Sequence, residues 1–337
     1  MVANERYNRH IILKIIGKKG QERLAKSRVV IIGCGALGTT VANNMVRSGV
    51  GFVRIVDRDI VELNNLQRQM LFDENDIGYP KAIAAAEKLE KINSDVTIEP
   101  VVDDVNYTNI ENIMKNIDVV IDGTDNMLIR FLINDTCVKH IIPWVYCGVV
   151  ETYGMTMNIL PFQTPCFRCL IQNIPDGGTL PTCDTVGVMN TIPNIMGSIE
   201  STEALKILLG KKDINNDLII YDVWWHSFEK IEIKKNPDCE CCEKHHYDFL
   251  NGKFKEDVVS ICENGAIQIS PIKPIAISFD ELEKKLRNVG EVENRKIILR
   301  CKIKNYELNI FQNGRAIIMG TNDKNIAKSL YSKYVGV

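Results

Sequence analysis

The sequence predicts an α/β protein: a doubly wound sheet, mainly parallel with an antiparallel extension, followed by a small C-terminal α+β domain. Three observations predict it. Short uninterrupted apolar runs such as Arg28–Ile32 and residues 118–121 read as strands buried on both faces. Helical patterns alternate with those runs, the order that builds a parallel sheet wrapped on both sides. At 337 residues the chain also exceeds one ordinary domain, which leaves room for an appendage of about 80 residues.

Arg28–Ile32 (RVVII) reads as the first buried strand, Ala36–Ser48 as a helix and Phe52–Val56 as the second strand. Pro80 stands where a first helical residue tolerates a missing N–H, and Lys81–Ile92 continues with Ala-rich helical spacing. Residues 96–101 are strand-like, 110–116 helical, and 118–121 (DVVI) form another buried strand. Beyond Pro143, strand-like runs at 145–150 and 155–160 adjoin without a helix between them, the mark of an antiparallel extension. The Gly/Pro-rich stretch 174–181 reads as a mobile loop, leading to a helix over 197–209 and a strand pair, 218–223 and 228–233. With the cysteine-rich 236–246 these elements make a first domain spanning 1–250. The second, 254–337, is predicted to hold a strand at 266–270, a helix at 279–288, strands at 296–302, 307–311 and 315–319, and a helix at 325–334. Asn313-Gly314 between its last two strands predicts a tight turn with positive φ at both residues.

Lys and Arg number 41 against 43 Asp and Glu, a formal net charge of -2, so no global positive field is present to hold nucleic acid or anionic lipid. An anionic ligand must be met by a local site. The first ten residues are polar where a signal peptide carries its apolar core, and no apolar run approaches the roughly 18 residues of a membrane span. The chain thus reads as cytoplasmic, with neither a membrane nor a nucleic acid as partner. Its 11 cysteines, odd in number and spread over a long chain, argue against a disulfide framework and for metal or thiol chemistry.

Gly33-Cys34-Gly35-Ala36-Leu37-Gly38 follows a buried strand and opens a helix. In that setting Gly33, Gly35 and Gly38 let backbone and helix N-terminus approach a phosphate, a Rossmann-like fingerprint. Asp57, 19 residues after Gly38, ends the next strand where a carboxylate takes ribose hydroxyls. These residues alone predict an NAD-dependent oxidoreductase. The segment from Asp57 to Gln69 argues otherwise. Asp59, Asn65, Arg68 and Gln69, with Lys81 at a helix N-terminus, crowd polar and cationic groups around one mouth. Nicotinamide needs a flat apolar slot, whereas an Arg and a Lys aimed together suit a triphosphate whose charge must be neutralised as it reacts. For Arg68 or Lys81 singly, a solvated surface charge is the competing explanation. Asp122-Gly123-Thr124-Asp125-Asn126 follows the strand DVVI at the carboxyl edge, where a carboxylate would hold Mg2+ against phosphate oxygens; helix capping by Asp125 is the structural alternative.

Cys166-Phe167-Arg168-Cys169 and Cys239-Glu240-Cys241-Cys242 are two Cys-x-x-Cys pairs about seventy residues apart, a spacing that predicts a tetrahedral zinc site. The ligands would be Cys166, Cys169, Cys239 and Cys242, with Cys241, His245 and His246 as nearby alternatives and a redox pair as the competing function. Cys183, after the Gly/Pro loop and before a helix, has the setting of an activated thiol, against an inert role. Cys34, Cys137, Cys147, Cys262 and Cys301 lie in apolar or strand contexts and read as core. Trp224, Trp225 and His226 read as packing or dimer contact.

Taken in order, Arg6-Tyr7-Asn8-Arg9-His10-Ile11-Ile12-Leu13, the GCGALG loop, the 57–69 segment, Lys81 after Tyr79-Pro80, and Gly123-Thr124-Asp125-Asn126 with Arg130 resemble the ThiF/MoeB/HesA family. Its members are prokaryotic relatives of ubiquitin-activating enzymes, and the resemblance covers roughly residues 5–245. It implies a homodimeric adenylyltransferase that uses MgATP to adenylate the C-terminal Gly-Gly carboxylate of a small ubiquitin-like protein, releasing pyrophosphate. By matching motif position it implies that Asp57 binds the ribose, that Asn65, Arg68 and Lys81 bind the phosphates, and that Asp125 holds Mg2+. Arg9 would reach the triphosphate of the other subunit. The family also has a structural zinc at the position of the four cysteines.

TCDTVGVM (182–189) resembles the family's acceptor-cysteine segment, which implies that Cys183 takes the activated carboxylate as a thioester or acyl disulfide. Thr191 and Asn194 depart from the Pro and Gly usual in the family, so the resemblance carries adenylation further than this later step. Residues 254–337 are too short for the rhodanese domain that some eukaryotic relatives carry, so sulfur is expected from a separate sulfurtransferase or cysteine desulfurase. The tail is expected to dock a partner or stabilise the dimer. The expected function is adenylation of a sulfur carrier for thiamine, molybdopterin or thiolated-tRNA synthesis, or of an archaeal-type modifier. The alternatives are the NAD-dependent oxidoreductase, which leaves Arg9, Arg68, Lys81 and the cysteine pairs unexplained, and a catalytically silent zinc-stapled adaptor.

Overall fold

The computed structural model describes residues 5–174, 183–254, 258–261, 266–271 and 275–335. It divides into two units, Met1–Lys253 and Phe254–Val337. In the first, α1 (Asn8–Ile12) and α2 (Gly17–Leu24) precede β1 (Arg28–Ile32), α3 (Ala36–Ser48) and β2 (Phe52–Val56). Then come α4 (Lys81–Ile92), β3 (Thr97–Val101), α5 (Ile110–Ile113), β4 (Val119–Asp122) and α6 (Met127–His140). The unit continues through β5 (Trp144–Val150), β6 (Tyr153–Ile159) and two single turns, α7 (Phe167–Leu170) and α8 (Cys183–Val186). It ends with α9 (Thr191–Leu209), β7 (Leu218–Asp222) and β8 (Ser227–Ile231).

These strands form one sheet in the order β3-β2-β1-β4-β5-β6-β7-β8. Pairing is parallel from β3 to β5 and antiparallel from β5 to β8. In β1 the pleat sends Val29 and Ile31 into a core shared with α3, α4 and α9, and Val30 and Ile32 into the opposite core with α5 and α6. Burial on both faces is why the strand is apolar from Val29 to Ile32. Because β1, β2, β4 and β5 run in one direction, the turns after them share the carboxyl edge of the sheet. β6 reverses and β7 runs with β5, so the turn after Asp222 returns to that edge.

Differences from the sequence expectations have local causes. α9 begins at Thr191 rather than at 197, because Pro193 falls in its first turn, where a missing N–H leaves no carbonyl unsatisfied. α1 and α2 lie outside the predicted elements; α1 buries none of its five residues and so has no amphipathic stripe. The expected loop over 175–181 and Cys262 lie outside the described residues. Among the described residues no helix is long and apolar enough to cross a membrane.

The second unit holds β9 (Val258–Ile261), β10 (Ala266–Ile269), α10 (Phe279–Leu286), β11 (Glu291–Asn294), β12 (Ile298–Ile303), β13 (Tyr306–Phe311), β14 (Ala316–Met319) and α11 (Lys324–Tyr334). Its sheet, in the order β11-β12-β13-β14-β10-β9, is antiparallel throughout. Phe279, Leu282 and Leu286 of α10 and Ala327 and Tyr331 of α11 close its core over Leu299, Leu308, Ile310 and Ile318. The Asn313-Gly314 turn differs from the expected form: Gly314 alone has positive φ, +85°. Its N–H donates to Phe311 O at 3.0 Å, so a three-residue loop with a left-handed last residue replaces the two-residue turn.

Candidate active site

At the carboxyl edge the glycine loop packs against the turn that follows β4. Gly33 (φ +92°) lies against Gly123, and a Cβ on Gly38 would strike the Gly33 carbonyl. Gly35 stands at the N-cap of α3 without a side-chain cap, which leaves the first N–H groups of that helix for a ligand. The N–H groups of Cys34 and Asp59 donate to the two Asp57 oxygens at 2.6 and 2.7 Å. Burial pushes the Asp57 carboxyl above its usual range; Lys81 opposes the shift and Asp59 adds to it.

Lys81, the first residue of α4, is 6% exposed, and its ammonium lies 3.7 Å from the Asp59 carboxylate. Its N–H donates to the Asp59 carbonyl at 2.9 Å, so backbone and side chain are tied to one loop. A short turn, Leu63–Asn65, sets Asn65 fully inside, where it accepts the Glu62 N–H at 3.1 Å and donates to Asn64 at 2.9 Å. The Arg68 guanidinium donates to the Asn64 carbonyl at 2.9 Å. Gln69 is buried, and its Nε2 lies within 3.9 Å of where a side chain at Gly35 would begin. The 65–69 turn therefore stands against the glycine loop.

At the end of β4, the buried Asp122 accepts the Thr124 N–H and hydroxyl at 2.9 and 2.7 Å on one oxygen and Arg130 Nε at 2.9 Å on the other. Arg130 also donates to the carbonyls of Thr124 and Cys147, at 2.5 and 3.0 Å. Asn126, not Asp125, caps α6, accepting the Ile129 N–H at 3.2 Å. Asp125 is left exposed beside this braced turn.

The ThiF family model matches residues 7–241. This chain belongs to the ThiF family. It is 37% identical over 338 residues to the sulfur carrier protein ThiS adenylyltransferase of Bacillus subtilis (strain 168), a similarity covering 98% of this chain and 99% of that relative. The C-terminal unit is thus shared with that relative. The SAMP-activating enzyme E1 of Haloferax volcanii is 40% identical over 247 residues, 73% of this chain and 91% of its own. A crystal structure of E. coli MccB with MccA-N7isoASN has the same fold, with a TM-score of 0.63 at 22% identity over 70% of this chain and 74% of that one. The oxidoreductase alternative has no support in these relatives.

The cysteines that the sequence singled out form further groups. Cys166, Cys169, Cys239 and Cys242 bring their sulfurs within 4.8 Å of one another. Cys166 lies 3.5 Å from Cys239 and 3.9 Å from Cys169, and Cys169 lies 3.6 Å from Cys242. Sulfurs around zinc at about 2.3 Å stand about 3.8 Å apart, so the donor set fits that ion. Cys241 turns instead to Asn134 Nδ2 at 3.2 Å, and His246 to Glu240 at 2.8 Å. Asn134 also accepts the Phe167 N–H at 2.8 Å, so α6 grips both cysteine loops.

Cys183 opens α8, its sulfur 3.4 Å from the Val149 carbonyl. Glu151 N–H donates to Gly187 O at 2.9 Å and Met189 N–H to Glu151 O at 2.8 Å, which sews this segment to the end of β5 at the carboxyl edge. Cys34, Cys137, Cys147 and Cys301 are buried. Trp224 and Trp225 are 61% and 76% exposed in the turn after β7 rather than packed within the chain.

Arg9 is exposed on α1 and is not brought to its own glycine loop. Tyr7 packs on Gly49, at the far end of α3, and its hydroxyl accepts Asn93 Nδ2 at 2.7 Å. The 13 residues of α3 put that end about 20 Å from the loop. Two parts of the site carry no motif. Arg58 pairs with Asp104 across 46 residues of sequence, and Glu200 of α9 is fully buried, with neither carboxyl oxygen hydrogen-bonded. The sequence signal for Glu200 is a charge among the apolar and small residues that α9 buries, shared with Glu203.

Proposed function

We propose that this chain adenylates the C-terminal Gly-Gly carboxylate of a small ubiquitin-like sulfur-carrier protein with ATP. The proposal is carried by the gathering of Asp57, Lys81, the 65–69 turn and the Asp125 turn around one glycine loop, in a chain alignable end to end with a ThiS adenylyltransferase. Asp57 takes the ribose; Asn65, Arg68, Gln69 and Lys81 take the phosphates. A carboxylate oxygen of the carrier attacks the α-phosphorus, the bond to the bridging oxygen of the β-phosphate breaks, and pyrophosphate leaves. Two anions meet in that step, so it needs positive charge and alignment more than a base. Lys81 and Arg68 supply the charge.

Asp125 is exposed and relieved of capping by Asn126, which suits it to hold Mg2+; bound there, the ion would neutralise developing charge on the phosphate oxygens. Arg9 is too far along α3 to serve its own loop, which supports a homodimer in which each Arg9 completes the other site. A closed set of four cysteines leaves no open position, so the zinc is structural.

In the later step the Cys183 thiolate attacks the acyl-adenylate carbonyl, the acyl–phosphate bond breaks and AMP leaves. Sulfur then arrives from a separate sulfurtransferase or cysteine desulfurase. Alignment through the C-terminal unit with the ThiS enzyme favours the thiamine carrier as substrate. The test is mass spectrometry of candidate carriers after incubation with enzyme, ATP and Mg2+. One carrier heavier by an AMP group, and no such adduct when its last glycine is removed, is expected; no adduct on any carrier contradicts the proposal.

A further inference from the structure

Arg58 follows Asp57 directly, yet takes no part in the phosphate set. Its Nη1 donates to Asp104 Oδ1 at 2.9 Å, and its Nε lies 3.6 Å from Asp59 Oδ1. Asp104 follows β3, the neighbour of β2 on the outer side, so the pair bridges the mouth between the ends of those two strands. Asp104 is held in turn: its carbonyl accepts Asn106 Nδ2 and Asn109 Nδ2, each at 2.9 Å. Burial opposes the Arg58 charge, but Asp59, Asp104 and Asp125 outweigh it and keep the guanidinium protonated. Carboxylates grip a guanidinium at its N–H edges, in its plane, which leaves its flat faces for stacking. The side chain keeps 22% of its surface open.

With the phosphates over the loop after β1 and the ribose over the end of β2, as proposed above, the base would continue in the same direction, toward the end of β3. We propose that the guanidinium face of Arg58, locked by Asp104, is one wall of the nucleobase pocket and favours a purine; this rests on the adenylation function proposed above. Arg58 is then a specificity-determining residue that acts on the base and not on the phosphates. A purine offers a wider π surface to a cation than a pyrimidine does.

The test is calorimetric titration of wild type, Arg58→Ala, Arg58→Lys and Arg58→Tyr with ATP, CTP and inorganic tripolyphosphate, with thermal midpoints as the folding control. Arg58→Ala is expected to weaken ATP about tenfold, to weaken CTP less, and to leave tripolyphosphate unchanged. Lysine keeps the charge but has no flat face and does not restore ATP affinity; tyrosine restores most of it. ATP affinity unchanged in Arg58→Ala overturns the inference, as does a parallel loss of tripolyphosphate, which would mean action through Asp59 and Lys81. Rescue by lysine overturns it too. If Arg58→Ala fails to fold, the lysine and tyrosine variants carry the same comparison. A wild type that binds no ATP would instead overturn the adenylation reading, and this one with it.

Discussion

Arg130 holds the Asp122 carboxylate at 2.9 Å with one nitrogen and the Thr124 carbonyl at 2.5 Å with another, so a single buried cation fixes both ends of the turn that presents Asp125. Both charges are inside, where neither is tolerated without the other. Burial raises the Asp122 pKa, and Arg130 is the main force opposing that shift.

Removing one partner strands the other. Arg130→Ala is expected to cost about 3–5 kcal/mol, and Arg130→Met with Asp122→Ala less than the sum of the single changes. Urea unfolding followed by tryptophan fluorescence measures this, since Trp144, Trp224 and Trp225 all lie in the first unit. A loss in the double variant equal to the sum of the two single losses would count against the pair as the brace.

Gly38→Ala places a methyl against the Gly33 carbonyl, a backbone atom that cannot swing aside. About 1–3 kcal/mol of stability and most ATP affinity are expected to go, because the loop must open at the end proposed to meet the phosphates. Calorimetry of an ATP titration against the folded variant checks the second part.

The cysteines separate into ligand and neighbour. Cys242→Ser is expected to lose zinc and lower the thermal midpoint, whereas Cys241→Ser keeps the metal, because its sulfur faces Asn134. Zinc content per chain by atomic emission decides between them. Full zinc content in Cys242→Ser would exclude Cys242 as a ligand.

Glu200 gives the fold a pH dependence. Burial lifts its carboxyl well above the ordinary 4.5, and Asp122 adds to the rise. A carboxyl raised in the folded state contributes stability in full below its unfolded pKa and loses it as pH climbs through the folded pKa. Glu200→Gln removes that loss. Its stability advantage over wild type is expected to grow by about 1.4 kcal/mol per pH unit within that window. Unfolding curves between about pH 5 and pH 8 read the slope, and a constant difference would contradict it.

Much of this was legible because buried parallel strands are predominantly apolar: RVVII and FVRIV read as strands without knowledge of their neighbours. That the glycine loop, Asp57 and Lys81 meet at one edge of the sheet was legible, because each directly follows a strand or opens a helix of the alternating pattern. Long-range pairings were not. Nothing near Arg58 announces Asp104, and nothing near Tyr7 says that it seats on Gly49 and so removes Arg9 from its own loop. β11, with the sequence EVEN, has no apolar alternation, since its place at a sheet edge depends on pairing with β12. Cys183 opens a single helical turn, shorter than the helix that the sequence pattern suggests after it.

The decisive measurement for adenylation is ATP–pyrophosphate exchange, run with purified protein and small proteins ending in Gly-Gly beside a Lys81→Ala control. Exchange that requires one carrier and vanishes in the variant is expected. Absence of exchange with every carrier, in a protein that instead binds NADH, would contradict it.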